Sequence, residues 1–116
     1  MDCIFIEKLK VDCIIGIYEE EKRNPQPVYV DCEIYYKDRG AGHTDDYSKV
    51  IDYALVSDDI SELLINGCFE LVETAAERIC EMVLHKYGAE RIRLKITKPD
   101  AVPAAAGVGV IIERSR

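Results

Sequence analysis

"CFELVETAAERICEMVLHKYG", residues 68–88, is the stretch whose reading decides the fold. Val72, Ala75, Ala76, Ile79, Cys80, Val83, Leu84 and Tyr87 recur at spacings of three and four, which draws one apolar stripe along a helix. Gly88 is a natural stop, because glycine takes the left-handed conformation just past a helix end without steric cost. His85 and Lys86 sit in the last turn, where positive charge suits the helix dipole. The period then changes. In "IRLKITKP", residues 92–99, Ile92, Leu94 and Ile96 alternate with Arg91, Arg93, Lys95 and Thr97. That is a strand with one apolar face. Pro99 cannot continue a ladder, so the strand closes at Thr97 or Lys98 and leaves a lysine at its end.

Working outward, a shorter helix is predicted upstream, from about Ala54 to Leu64. Downstream, "GVGVIIER" (107–114) carries Val108, Val110 and Ile112 on one parity and reads as a strand. At the start of the chain, residues 2–15 are apolar on both parities. Ile4 and Ile6 point one way; Cys3, Phe5, Leu9, Val11 and Cys13 point the other. The pattern predicts a strand covered on both faces near its start, ended by Gly16. "YEEEKRNPQP" (18–27) reads as a loop broken by Pro25 and Pro27, longer than a tight hairpin needs. "VYVDCEIYYK" (28–37) is a second strand, antiparallel to the first. "DRGAGHTDDYSK" (38–49) reads as irregular.

The order ββααββ implies an α+β domain, a four-stranded antiparallel sheet with both helices on one face. No repeat, low-complexity tract or linker divides residues 1–116, so one domain is expected. "VGVII" and "YVDCEIYY" look too apolar for a second sheet face open to water, and self-association is the expected remedy.

The net charge of −7 argues against a nucleic-acid footprint or a surface for anionic lipid, since both need clustered Lys and Arg. It leaves a small neutral substrate open. Cys3, Cys13, Cys32, Cys68 and Cys80 are odd in number, lack C-x-x-C spacing and lie in apolar runs. They are expected to be buried free thiols in a reducing cytosol. His43 and His85 lack ligand spacing, so no metal is expected. "MDCIFIEKLKV" has no signal-peptide pattern, and no run is long enough to span a bilayer; a cytoplasmic chain without membrane contact is expected.

Four positions could carry chemistry. Lys98, at a strand end, is ordinarily a surface charge. The loop after it, "PDAVPAAAGVG", is small and apolar enough to close over a ligand, and a lysine desolvated there can move protons. Glu73 belongs to a stripe with Glu70, Glu77 and Glu81 that would normally be a solvated helix face. Glu70 and Glu73, however, are expected in the first turn, where unpaired backbone N–H groups cluster. Tyr53, just before a helix, is ordinarily packing, yet its phenol is a competent proton donor. The run Glu19–Glu21 is ordinarily a solvated loop.

In order along the chain, "IGIYEEE", "PQPVYVDCEI", "IDYALV", "FELVETAAERI", "ITKPDAV" and "GVGVIIERS" resemble the dihydroneopterin aldolases, folate-pathway lyases, in their single-domain bacterial form. The resemblance covers essentially the whole chain. It implies the T-fold, with subunits joined into barrel-like rings that stack into an octamer and active sites between neighbouring subunits. It implies pterin anchoring by Glu73 with the backbone at Val72, general acid/base work by Lys98, proton transfer by Tyr53, and a supporting role for Glu21 near the reacting end. The reaction implied is retro-aldol cleavage of dihydroneopterin to 6-hydroxymethyl-dihydropterin and glycolaldehyde, in tetrahydrofolate biosynthesis. Neither metal, cofactor nor Schiff base is implied. Some epimerisation to dihydromonapterin would accompany it. The alternatives are the sister 2′-epimerase of dihydroneopterin triphosphate, and a T-fold pterin-binding protein without catalysis.

Overall fold

The computed structural model describes all residues, Met1–Arg116. Its strands are β1 (Asp2–Cys13), β2 (Gln26–Tyr36), β3 (Arg91–Lys98) and β4 (Val108–Ser115). They form one antiparallel sheet in the order β1-β2-β3-β4. Two fifteen-residue helices, Tyr53–Gly67 and Val72–Lys86, pack on one face. Two short helices come earlier in the chain. Labelled in chain order, the helices are α1 (Glu19–Arg23), α2 (Ala41–Thr44), α3 (Tyr53–Gly67) and α4 (Val72–Lys86), and a 3-10 turn covers Tyr47–Lys49. The ββααββ frame is as expected. The stretch read as irregular holds α2 and the 3-10 turn, and the first long loop holds α1. No helix is long and apolar enough to cross a membrane.

The core lies between the sheet and the two long helices. Val30, Cys32 and Ile34 from β2 and Ile92, Leu94 and Ile96 from β3 meet Val56, Ile60 and Leu64 from α3 and Ala76, Ile79 and Val83 from α4, all buried. Asp52 caps α3, its carboxylate accepting from the N–H groups of Ala54 (2.9 Å) and Leu55 (3.2 Å). Gly88 follows α4 at φ +68°, the left-handed stop anticipated for it.

The two-sided burial expected of the first strand is corrected by a β-bulge. Ile6 pairs with Cys32 and Leu9 with Val30, so three steps on β1 match two on β2. The extra residue reverses the parity that faces the core. Ile4 and Ile6 before it, and Leu9, Val11 and Cys13 after it, therefore all face the helices. Phe5 and Cys3 lie on the opposite, open face and are exposed. The bulge holds Lys8 at φ +52°, with its N–H donating to the Asp31 carboxylate at 2.9 Å. Because Lys8 carries a Cβ in a left-handed conformation, Lys8→Gly is expected to stabilise the fold by about 0.5–1 kcal/mol, measured by urea denaturation.

The open face is also less apolar than expected. The apolar residues of "YVDCEIYY" turn inward, and outward go Tyr29, Asp31, Glu33 and Tyr35. Across the ladder they meet opposite charge: Asp31 is opposite Lys95, and Glu33 is opposite Arg93, which in turn is opposite Glu113. The Arg91 guanidinium lies 4.1 Å over the Tyr35 ring. Alternating side-chain direction sorts a run that is apolar on average into one dry face and one charged one. The thiols divide likewise. Cys13, Cys32 and Cys80 are buried, and burial pushes them up to about 11, about 12 and about 12. Cys3 and Cys68 are exposed, correcting the expectation that all five are buried; every one is free.

Candidate active site

The end of β3, the start of α4 and helix α1 converge at one end of the sheet around a cavity of about 660 Å³. Lys98 is the last residue of β3 and pairs with Val108 across the ladder. The strand's alternation puts it on the same side as Ile92, Leu94 and Ile96, so its stem runs into the buried layer just where that layer ends. Its side chain is only 10% exposed, and its Nζ lies 2.5 Å from Glu21 Oε2.

Glu21 comes from the run read as a loop. Three acids in its first turn and Lys22 and Arg23 in its last suit the dipole of α1, and Asn24 and Pro25 end it. Of the three glutamates, Glu21 is the one turned inward, 17% exposed. Besides Lys98, it accepts from Gln26 Nε2 at 3.0 Å and from the N–H of Tyr18 at 3.4 Å. Burial works to raise its pKa, but the hydrogen bonds from Lys98, Gln26 and Tyr18 outweigh burial and hold the carboxyl below its ordinary value.

Val72 and Glu73 open α4 and line the same cavity. No side chain caps this helix: Leu71 stands at the N-cap with an extended backbone. Its first N–H groups are left open to the cavity without a capping acceptor. Glu73 is exposed and enters none of the chain's ion pairs. Glu70, expected in the same first turn, instead precedes the helix, where the backbone is drawn out as Gly16 N–H donates to Phe69 O at 3.0 Å. Glu70 pairs with Lys22 at 3.0 Å. Glu77 is engaged by Arg114 on β4. Glu73 is thus a carboxylate beside helix-start amides with nothing in the chain to neutralise it.

From the loop after Lys98, Asp100, Ala101 and Val102 supply another wall. Tyr53 is not brought in. It is the first residue of α3, 63% exposed and outside the cavity. Two further wall residues are Gly16, which the sequence marked only as a strand stop, and Gln26, which it did not mark at all. Gln26 sits between two prolines at the mouth of a strand of Val and Tyr, where a polar residue facing inward is the only signal. No cluster of three or more His, Cys, Asp or Glu is placed to hold a metal ion.

The assembled groups suit proton transfer on a flat, hydrogen-bonding ligand. An ammonium is held by a carboxylate deep in the cavity, and a free carboxylate with open N–H groups beside it can grip a ring edge offering donors and acceptors. The family model for dihydroneopterin aldolase matches residues 4–113. The chain is 38% identical to the dihydroneopterin aldolase of Escherichia coli K12 over 114 residues, covering 98% of this chain and 93% of that one. It is 34% identical to the dihydroneopterin aldolase of Haemophilus influenzae, covering 98% and 97%. Its structure matches that of an Escherichia coli dihydroneopterin aldolase in complex with neopterin with a TM-score of 0.94 at 37% identity, over 99% of this chain and 100% of that one.

Proposed function

The chain belongs to the dihydroneopterin aldolase family, and from that premise we propose how its residues divide the retro-aldol cleavage of dihydroneopterin among them. The observation that carries the division is the Lys98–Glu21 pair, set in one cavity with the unpartnered Glu73. Glu73 accepts from the amino group and adjacent N–H of the pterin ring, with the backbone at Val72 assisting. A carboxylate facing two donors in a fork is a strong and selective grip. The anchored ring then presents its N5 edge and side chain toward Lys98.

Removal of the 2′-hydroxyl proton starts the reaction. The C1′–C2′ bond breaks and glycolaldehyde departs. Its electrons enter the ring as an enol spread through C6 and N5, and protonation at C1′ gives 6-hydroxymethyl-dihydropterin. The ring is its own electron sink, so an imine is not needed. Lys98 supports this division, because an amine held as the partner of a carboxylate carries protons rather than attacking a carbonyl. The reaction draws on neither metal nor cofactor, and runs in the cytoplasm. Re-addition of glycolaldehyde to the opposite face yields dihydromonapterin as a side product.

Tyr53 completes the site of a neighbouring copy rather than its own, within rings that pair into an octamer. Its exposure and its place outside the cavity support that assignment. Two defects on different chains then become complementary. Tyr53→Phe and Lys98→Ala, each impaired alone, are expected to regain activity when refolded together, because mixed rings contain some sites with both native groups. No gain on mixing would place Tyr53 in the site of its own chain, and wild-type activity in Tyr53→Phe alone would place it outside the reaction. The overall test is incubation with dihydroneopterin in the presence of a chelator and chromatography of the pterins. Hydroxymethyl-dihydropterin with equimolar glycolaldehyde is expected. Dihydromonapterin as nearly the sole product would make the chain an epimerase, and pterin binding without turnover would make it a binding protein.

A further inference from the structure

Glu21 belongs to a helix of five residues, too short to hold a side chain in place by itself. Its carboxylate is nevertheless fixed against Lys98, and the fixing comes from outside the helix. The Gln26 amide nitrogen has two protons and uses both: one goes to Ile15 O at 2.9 Å, the other to Glu21 Oε2 at 3.0 Å. Ile15 is fully buried two residues past the end of β1, and Gln26 opens β2 opposite Cys13. The amide therefore ties the carboxylate to the sheet itself. Gly16 makes the room: at φ +143°, a Cβ there would land inside the Glu21 carboxyl group.

We propose that Gln26 is a positioning residue that holds the Glu21 carboxylate, seated in the space Gly16 leaves, on the Lys98 ammonium. The inference rests on the roles given above to Lys98 and Glu21 and adds a residue to which none was assigned. Gln26 acts through Glu21 and makes no contact that the pterin ring requires. Its removal takes a donor from the carboxylate, so the carboxylate becomes easier to protonate and the acidic limb of the pH profile moves upward. An isosteric carboxylate at the same place moves it further, since two like charges then face each other.

The test compares kcat/KM for dihydroneopterin across the acidic limb in wild type, Gln26→Leu and Gln26→Glu, with Glu21→Gln alongside and neopterin affinity measured by fluorescence titration. Gln26→Leu is expected to lower kcat/KM by about tenfold and to move the limb up by about one pH unit. Gln26→Glu is expected to move it further still, and both are expected to bind neopterin as wild type does. Gly16→Ala displaces the same carboxylate sterically and moves the limb in the same direction, which carries the test should either Gln26 variant melt early. A limb unmoved in the Gln26 variants, while Glu21→Gln is impaired, overturns the inference alone. So does a loss of neopterin affinity matching the loss of kcat/KM, which would make Gln26 a ligand contact. Wild-type kinetics in Glu21→Gln would remove the role of Glu21, and with it both readings.

Discussion

Lys98→Ala is expected to lower kcat for dihydroneopterin by about a thousandfold, in the middle of the range that a positioned general acid or base supplies. The lysine is the one ammonium inside the cavity, and its stem is buried along the sheet, so no neighbouring side chain can take its place. Neopterin affinity is expected to change far less, since the proposed anchor of the ring is Glu73 at the other wall. Lys98→Arg should rescue little: a guanidinium keeps its proton throughout the accessible pH range, and its planar fork does not fit where a compact ammonium meets a single carboxylate oxygen. The variant should still fold, because Glu21 retains Gln26 and Tyr18 as donors. Rapid-quench kinetics under saturating substrate is the measurement. A kcat within tenfold of wild type would move the proton chemistry to another group.

Glu73→Ala should show the opposite split. Its loss would remove the charge-assisted, two-donor contact proposed for it, and the neopterin Kd is expected to rise by about a hundredfold. The kcat at saturation should fall much less than in Lys98→Ala. Glu73→Gln tests the chemistry more finely. Gln keeps the shape but offers an N–H where the ring edge needs a second acceptor, so it should bind nearly as poorly as Ala. The fold should be indifferent to either change, for Glu73 is exposed and has no ion-pair partner to strand. An unchanged Kd in Glu73→Gln would mean that the ring is anchored elsewhere.

The frame of this fold was legible where the side chains repeat long enough to declare a period. The fifteen residues of α4 and the alternation of β3 gave the helix, its stop at Gly88 and the strand ending on Lys98. What escaped lacks a period. Helix α1 is a single turn and a half hidden in a charge run, and the cap at Asp52 depends on one side chain turning back to two amides. The bulge is illegible in principle from alternation alone, because a parity switch and two-sided burial produce the same string of residues. Lys98 and Glu21 meet across 77 positions, a distance no local pattern bridges; only likeness to a whole family placed them together. Tyr53 belongs to a different problem, for the fold leaves it outside the cavity, and the role proposed for it needs a second copy of the chain.

The bulge at Glu7–Lys8 has a further consequence, for solubility. β1 is an edge strand, and "CIFI", residues 3–6, is a short apolar, β-prone run with Phe5 exposed upon it. Such a segment is a template for cross-β growth. Here it is bracketed by Asp2 on one side and by Glu7 and Lys8 on the other, and the kink interrupts the flat row of amides that a stray strand would need. The same extra residue that turns Ile4 and Ile6 inward acts as a gatekeeper against fibril seeding. Deleting one residue of the bulge would set Ile6 and Leu9 two apart, keep Ile4 and Ile6 facing the core, and leave a longer, flatter edge.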